Sequence, residues 1–243
     1  MGTTTYSHQK ILLAALALVT ASLAVPADVQ AAGTPVANDK TTSANQPYLA
    51  SDTVQQVNEA RAVVEKMKSD PQMRDLLQKA KGVFILPTYG RGAWGLGVRG
   101  GEGVMLTQSG HKWSNPVFYN MGGVSIGFQG GAEAGSLAML LMSEKAVSQF
   151  MNDNNFSLNA GAGLTIVNYT GKAQANLGNG DVIVWADTKG AFANVSVGVT
   201  DIHLDESDTR AFYKRTATAK EILDGSVTSS QADALKQALP TGT

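Results

Sequence analysis

Cysteine is absent from the 243 residues. Its absence excludes disulfides, thiol catalysis, cysteine metal sites and lipid attachment at cysteine. Histidine is scarce: beyond the first 31 residues only His111 and His203 remain, and two histidines far apart in sequence offer no zinc-ligand spacing. Neither sign of charge dominates, since 19 Lys and Arg stand against 20 Asp and Glu for a formal net charge of −1. Such a balance argues against the broad basic surface that general nucleic-acid binding requires. Long apolar runs are missing as well. The one candidate, Ile11 to Val25, has about fifteen residues, short of the roughly 20 that a membrane-spanning helix needs.

That run follows Lys10, and Val29-Gln30-Ala31 supplies the small residues of a signal-peptidase site. Residues 1–31 are expected to be a cleaved signal peptide, with an uncleaved anchor as the alternative, so that the mature protein starts at Ala32. The expected location is periplasmic or extracellular, with peripheral association to a membrane. Residues 32–49 are rich in Thr, Ala, Asn, Pro and Gly and are expected to be a flexible linker. A single domain over 50–225 and a C-terminal tail over 226–243 complete the division.

The domain begins with helical spacing. Ser51 or Asp52 is placed to cap a helix carrying Val54, Val57, Ala60, Val64 and Met67 on one face. Asp70-Pro71 opens a second helix with a stripe of Leu76, Leu77 and Ala80, ended by Gly82. Arg61, Lys66, Lys68, Arg74 and Lys79 lie along both helices. They form a solvated face on helices packed against a sheet, or alternatively a basic membrane-surface element.

From Val83 the period changes. Val83 to Leu86 is a continuous apolar run, closed by Pro87, that fits a buried strand. Further strands are expected near 93–99, 102–108, 116–121, 123–131, 136–142, 156–167, 173–177, 181–187 and 190–202. Glu144 to Met151 should be helical with Ala146, Val147 and Phe150 inward. Asp205 caps a short helix reaching Tyr213, and Thr218 with Glu221 forms a capping box before Ile222, Leu223 and Gly225. A weak last helix carries Leu235 and Leu239.

More than half of the 26 glycines fall between Lys81 and Gly131. Trp94, Leu96 and Val98 oppose Gly95 and Gly97; Val124, Ile126 and Phe128 oppose Ser125 and Gly127; Val195, Val197 and Val199 oppose Ser196 and Gly198. Strands with one bulky and one minimal face suit a bent sheet or a close backbone approach. The expected fold class is α+β: a glycine-rich, strongly curved antiparallel sheet or partly closed barrel, with N-terminal and C-terminal helices packed on it.

Two motifs resemble catalytic or cofactor loops. Gly95-x-Gly97-x-x-Gly100 matches a dinucleotide fingerprint, but turn and strand follow where a helix is needed. No cofactor is expected. Gly123-x-Ser125-x-Gly127 matches the serine-hydrolase elbow, with Asp181 or Asp187 and then His203 in formal order. Phe128 to Gly131 again continue as strand, so hydrolysis by Ser125 stands as an alternative to a non-enzymatic role. Asp201, Asp205, Glu206 and Asp208 have a sufficient explanation as a helix start.

What remains is a basic and aromatic set: Lys81, Arg91, Trp94, Arg99, Lys112 and Trp113, with Tyr119 nearby. Arg and Lys suit phosphate, and Trp suits the layer where lipid meets water. Each also has a structural reading, such as Arg99 paired with Glu102 or Trp113 in the core.

Several linked motifs resemble the SYLF domain family. They are Lys81-Gly82-Val83 with Pro87, Gly92-x-x-Gly95-x-Gly97-x-Arg99-Gly100-x-x-Gly103, Trp113-Ser114-x-Pro116-x-Phe118-Tyr119 and Gly122-Gly123-x-x-x-Gly127-x-Gln129-x-Gly131. Met142-x-x-Lys145-Ala146 with Phe150, and Arg210-Ala211-Phe212-Tyr213, continue the match over roughly 50 to 225. The resemblance implies a non-enzymatic, lipid-binding protein; eukaryotic members bind phosphoinositides and actin filaments and often carry SH3 or FYVE modules. The export signal, and the lack of such a module in these residues, argue against actin as a partner and leave anionic phospholipid at an envelope surface. By the same resemblance, Lys81, Arg91 and Arg99 are the candidates for headgroup contact. A structural envelope protein that binds other proteins is the remaining alternative.

Overall fold

The computed structural model describes residues 46–91, 99–125, 134–169, 180–187 and 198–242. The chain divides into two units, Met1–Asp39 and Lys40–Thr243, and every described residue belongs to the second. The expected signal peptide lies outside the described residues, as do the strand residues expected at 93–98, 126–131, 173–177 and 190–197.

The first helix, α1, spans Gln46–Lys68, starting ahead of the expected cap at Ser51 or Asp52. Pro47 suits this start, because the missing N–H would have no partner in the first turn anyway. Val57, Ala60, Val63, Val64 and Met67 are buried along one face. Helix α2, Pro71–Lys79, is capped by the Asp70 carboxylate, which accepts from the Gln72 and Met73 amides. It ends at Ala80 in extended backbone, so Gly82 does not stop the helix. Gly82 instead opens the first strand, where a Cβ would lie 2.7 Å from Met105 Cε.

Among the described residues nine strands follow: β1 Gly82–Arg91, β2 Arg99–Ser109, β3 Lys112–Trp113, β4 Val117–Ser125, β5 Ala134–Leu141, β6 Asn155–Leu158, β7 Ile166–Asn168, β8 Val182–Asp187 and β9 Gly198–Leu204. Eight lie in the order β6-β9-β4-β2-β1-β5-β8-β7, and β3 pairs with β2. Pairing is antiparallel except between β7 and β8, which run parallel. Pro87 does not end β1 as expected. The strand passes through it, with the register shifting between Ile85 and Thr88 against β2 and between Leu86 and Tyr89 against β5. A proline lacks the ladder N–H and survives inside a sheet at such an irregularity.

The expected single strand 156–167 is two strands at opposite edges, β6 and β7. Flat, eight strands would place those edges about 33 Å apart. Residues 159–165 reach at most about 28 Å when fully extended, and Ala160–Ala162 is a 3-10 turn, which shortens them. The sheet therefore has to curl, and it forms a strongly curled half-barrel. Glycines let it bend tightly: a Cβ at Gly101 would lie 2.5 Å from the Thr88 carbonyl oxygen, and one at Gly103 would lie 2.6 Å from Phe84 Cε2.

Both faces of the sheet are covered. One core gathers Phe84, Met105, Tyr119, Met139, Phe156, Val184 and Ile202 with Phe150 of helix α3, Glu144–Asn152, and with Ile222 and Leu223 of helix α5, Ala219–Leu223. Because it joins residues from strands near both edges, this core fills the concave side. The second core packs α1 and α2 on Val83, Ile85, Val104, Leu106, Phe118, Ala138 and Leu140. Phe212 of helix α4, Glu206–Tyr213, and Leu235 of helix α6, Asp233–Ala238, also join it. Val83 to Leu86 are fully buried because alternate side chains enter different cores. The apolar stripe of α1 is spent on this packing, so the basic residues along it form a solvated face.

Candidate functional site

Arg91 and Arg99 are Cα partners, the last pair of the β1–β2 ladder, and Gly82 pairs with Thr107 at its other end. Trp94 belongs to the sequence joining the two arginines and lies outside the described residues. Lys81 and Lys112 sit at the opposite end. Lys81 offers its carbonyl to the Gln108 amide, and Lys112 is the partner of Ser109. Nine residues of β1 separate the two ends, about 30 Å at strand rise. Among the described residues, the arginine and lysine candidates thus lie at opposite ends of the β1–β2 ladder.

Lys81 is partly neutralised, its Nζ lying 2.8 Å from Glu144 Oε1. Trp113 is buried, with 6% of its surface exposed, and its Nε1 donates to the Pro240 carbonyl at 2.9 Å. Its ring packs in the convex-side core. That placement removes Trp113 from any exposed aromatic belt, because the ring holds the returning C-terminus instead. Its neighbours act alike. Asn115 accepts from the Ser229 amide at 3.1 Å, the Pro116 carbonyl accepts from the Tyr213 hydroxyl at 2.6 Å, and Tyr119 donates to the Phe150 carbonyl at 2.5 Å. Trp113, Asn115 and Pro116 therefore seat the C-terminal segments, and Tyr119 seats α3.

Catalysis by Ser125 meets a geometric obstacle. Ser125 pairs with Gly198 on β9, whereas His203 pairs with Asn120. Five residues along the ladder put the serine and histidine positions about 17 Å apart, far beyond the hydrogen bond a nucleophile and its base require. Among the described residues, no group of three or more acidic or histidine side chains is placed to hold a metal. Asp205 works as a cap, accepting from the Asp208 amide at 2.9 Å and from Asn120 Nδ2 at 2.7 Å. Burial, followed by the carboxylates of Asp205, Glu102 and Asp52, pushes Asp208 up to about 7. Glu102 is raised by burial and by Asp205 and Asp52.

A cavity of about 450 Å³, which none of the six candidates lines, opens between α3, β9, α4 and the start of α5. Arg210, Lys220 and Glu206 border it together with Asn152 and Asn154. Sequence reasoning met Arg210 only as part of a motif. Nothing local marks it as a site, because the cavity needs elements from four places in the chain.

Comparison with known proteins is consistent with the motifs. Residues 122–241 match the family model described as Ysc84, Las17-binding protein actin regulator. SH3 domain-containing YSC84-like protein 1 of Bos taurus is 30% identical over 177 residues, 69% of this chain and 50% of that protein. Protein YSC84 of Saccharomyces cerevisiae is 30% identical over 63% of this chain and 34% of its own length. LAS seventeen-binding protein 3 of the same yeast is 29% identical over 63% and 34%. The aligned region spans at most half the length of these relatives, none of which is named as an enzyme. Taken with the glycine-rich motifs of β1, β2 and β4, these matches place the chain in the Ysc84 family, the family of the SYLF domain.

Proposed function

We propose that this chain is a non-enzymatic binding protein that attaches peripherally to anionic phospholipid, at an envelope surface reached after removal of residues 1–31. The single observation carrying this reading is the register of Arg91 with Arg99 at the end of the β1–β2 ladder. Like charges at directly opposed strand positions cost stability, and a phosphate bound between them offsets that cost. Arginine suits the task because its planar fork takes phosphate oxygens in pairs. Trp94, between the two arginines in sequence, adds a side chain suited to the headgroup layer. Lys81 and Lys112, at the other end, take no part in this contact.

Each basic residue near an anionic surface contributes about 1 kcal/mol, and salt screens it. Co-sedimentation of residues 32–243 with vesicles tests the reading. Pelleting with anionic but not neutral vesicles, reduced at high salt, is expected; equal pelleting with both contradicts it.

A second reading has its own observation. The family description and the name of LAS seventeen-binding protein 3 each record a protein partner. Those words describe the relatives, of which this chain spans a third to a half. Export, which would separate the chain from actin, is a property of residues 1–31, outside those described. Cross-linking in intact cells separates the readings, since a protein partner gives a discrete adduct that survives lipid extraction.

A further inference from the structure

The cavity beside α4 has the makings of a second site, independent of the lipid reading. Its volume of about 450 Å³ falls among those of small-molecule sites, about 300–1,000 Å³. The Arg210 side chain makes no hydrogen bond or ion pair with another described residue, and neither does the side chain of Glu206 one helical turn before it. Glu and Arg in this order, four apart on a helix, ordinarily favour pairing with each other. Here they stay apart and border the same space. Lys220 approaches only Asp224, at 3.5 Å, with 66% of its side chain exposed, and so is free to turn toward the cavity. Asn152 and Asn154 add amides that can donate or accept, and Leu204 supplies an apolar wall.

We propose that this cavity binds a small, soluble, polyhydroxylated phosphate monoester. Arg210 and Lys220 take the phosphate, for which a planar fork and a mobile ammonium suffice. Glu206, acceptor only, accepts hydrogen bonds from the hydroxyls, with Asn152 and Asn154 beside it. The carboxylate also sets selectivity: it repels a second anionic group and leaves bare phosphate without the hydroxyl contacts. Leu204, the last residue of β9, is level with Tyr119, whereas Gly198 at the strand's start is level with Ser125. The cavity thus lies toward the end of the sheet away from Arg91 and Arg99.

The test is a titration of the full chain, followed by amide chemical shifts, with glucose 6-phosphate, glucose, inorganic phosphate and phosphatidic-acid vesicles as probes. Saturable shifts near residues 152–154 and 204–220 are expected with glucose 6-phosphate, weaker ones with phosphate and none with glucose. Arg210→Gln and Lys220→Gln should each weaken binding tenfold or more, while Arg74→Gln, on exposed α2 surface, leaves it unchanged. Vesicle pelleting by Arg210→Gln should match that of the unmodified chain, so failure of the lipid reading and failure of this one are separable. The proposal is overturned if glucose 6-phosphate gives no saturable shift up to about 10 mM, weaker than any specific site. It is also overturned if Arg210→Gln binds as tightly as the unmodified chain, or if only vesicles move these amides, which would make the ligand a lipid headgroup.

Discussion

Trp113 and Pro240, far apart in sequence, are joined by a 2.9 Å hydrogen bond from the indole Nε1 to the proline carbonyl. The ring fills a gap between the β2–β3 hairpin and the chain leaving α6. Trp113→Ala should cost about 3–5 kcal/mol by cavity formation. Trp113→Phe, which keeps most of the ring and loses the donor, should cost about 1–2 kcal/mol. Urea unfolding checks both, and an unchanged midpoint for Trp113→Ala would show that the indole does not hold the C-terminus.

Glycines inside the sheet differ from those in its turns. Gly101→Ala drives a methyl to 2.5 Å from the Thr88 carbonyl oxygen, part of the backbone, and should cost about 1–3 kcal/mol. Gly110 has φ of +59° with nothing within 4 Å of an added Cβ. Gly110→Asn should therefore cost less than about 1 kcal/mol, since asparagine tolerates left-handed backbone. Thermal melts of both variants separate the two roles, and equal losses would contradict the assignment.

Asp208 gives the fold a pH dependence of definite sign. Its carboxyl is held up at about 7 by burial and then by Asp205, Glu102 and Asp52, against 3.8 for the unperturbed group. The unfolded chain gives up this proton first, so folding is favoured below about pH 4 and the advantage is lost as pH rises through 7. Asp208→Asn should raise the melting temperature most at pH 8, less at pH 5, and change it little near pH 3. A larger gain at pH 5 than at pH 8 would reverse the sign and refute the account.

Much of this architecture was legible because its signals are local. Asp70-Pro71 marks the start of α2, Thr218 and Glu221 form the capping box of α5, and Ala146, Val147 and Phe150 form the buried side of α3. The errors fell where distant parts of the chain decide. Pro87 reads as a strand end until two neighbouring strands supply the register shifts that accommodate it. Residues 156–167 read as one strand because periodicity carries no information about which sheet edge a segment joins. Trp113 has the composition of an interfacial residue, and only the returning C-terminus shows why it is buried. Arg210 was visible in a motif, yet its cavity depends on Asn152 and Leu204 arriving from elsewhere.

Charge reversal at the arginine end of the β1–β2 ladder tests phosphate binding there most directly. Anionic-vesicle binding is to be measured at low salt for residues 32–243 carrying Arg91→Glu with Arg99→Glu, alongside Lys81→Glu with Lys112→Glu. The arginine pair should lose binding tenfold or more, given about 1 kcal/mol for each basic contact, while the lysine pair changes it only slightly. Equal losses, or a loss confined to the lysine pair, would contradict the account.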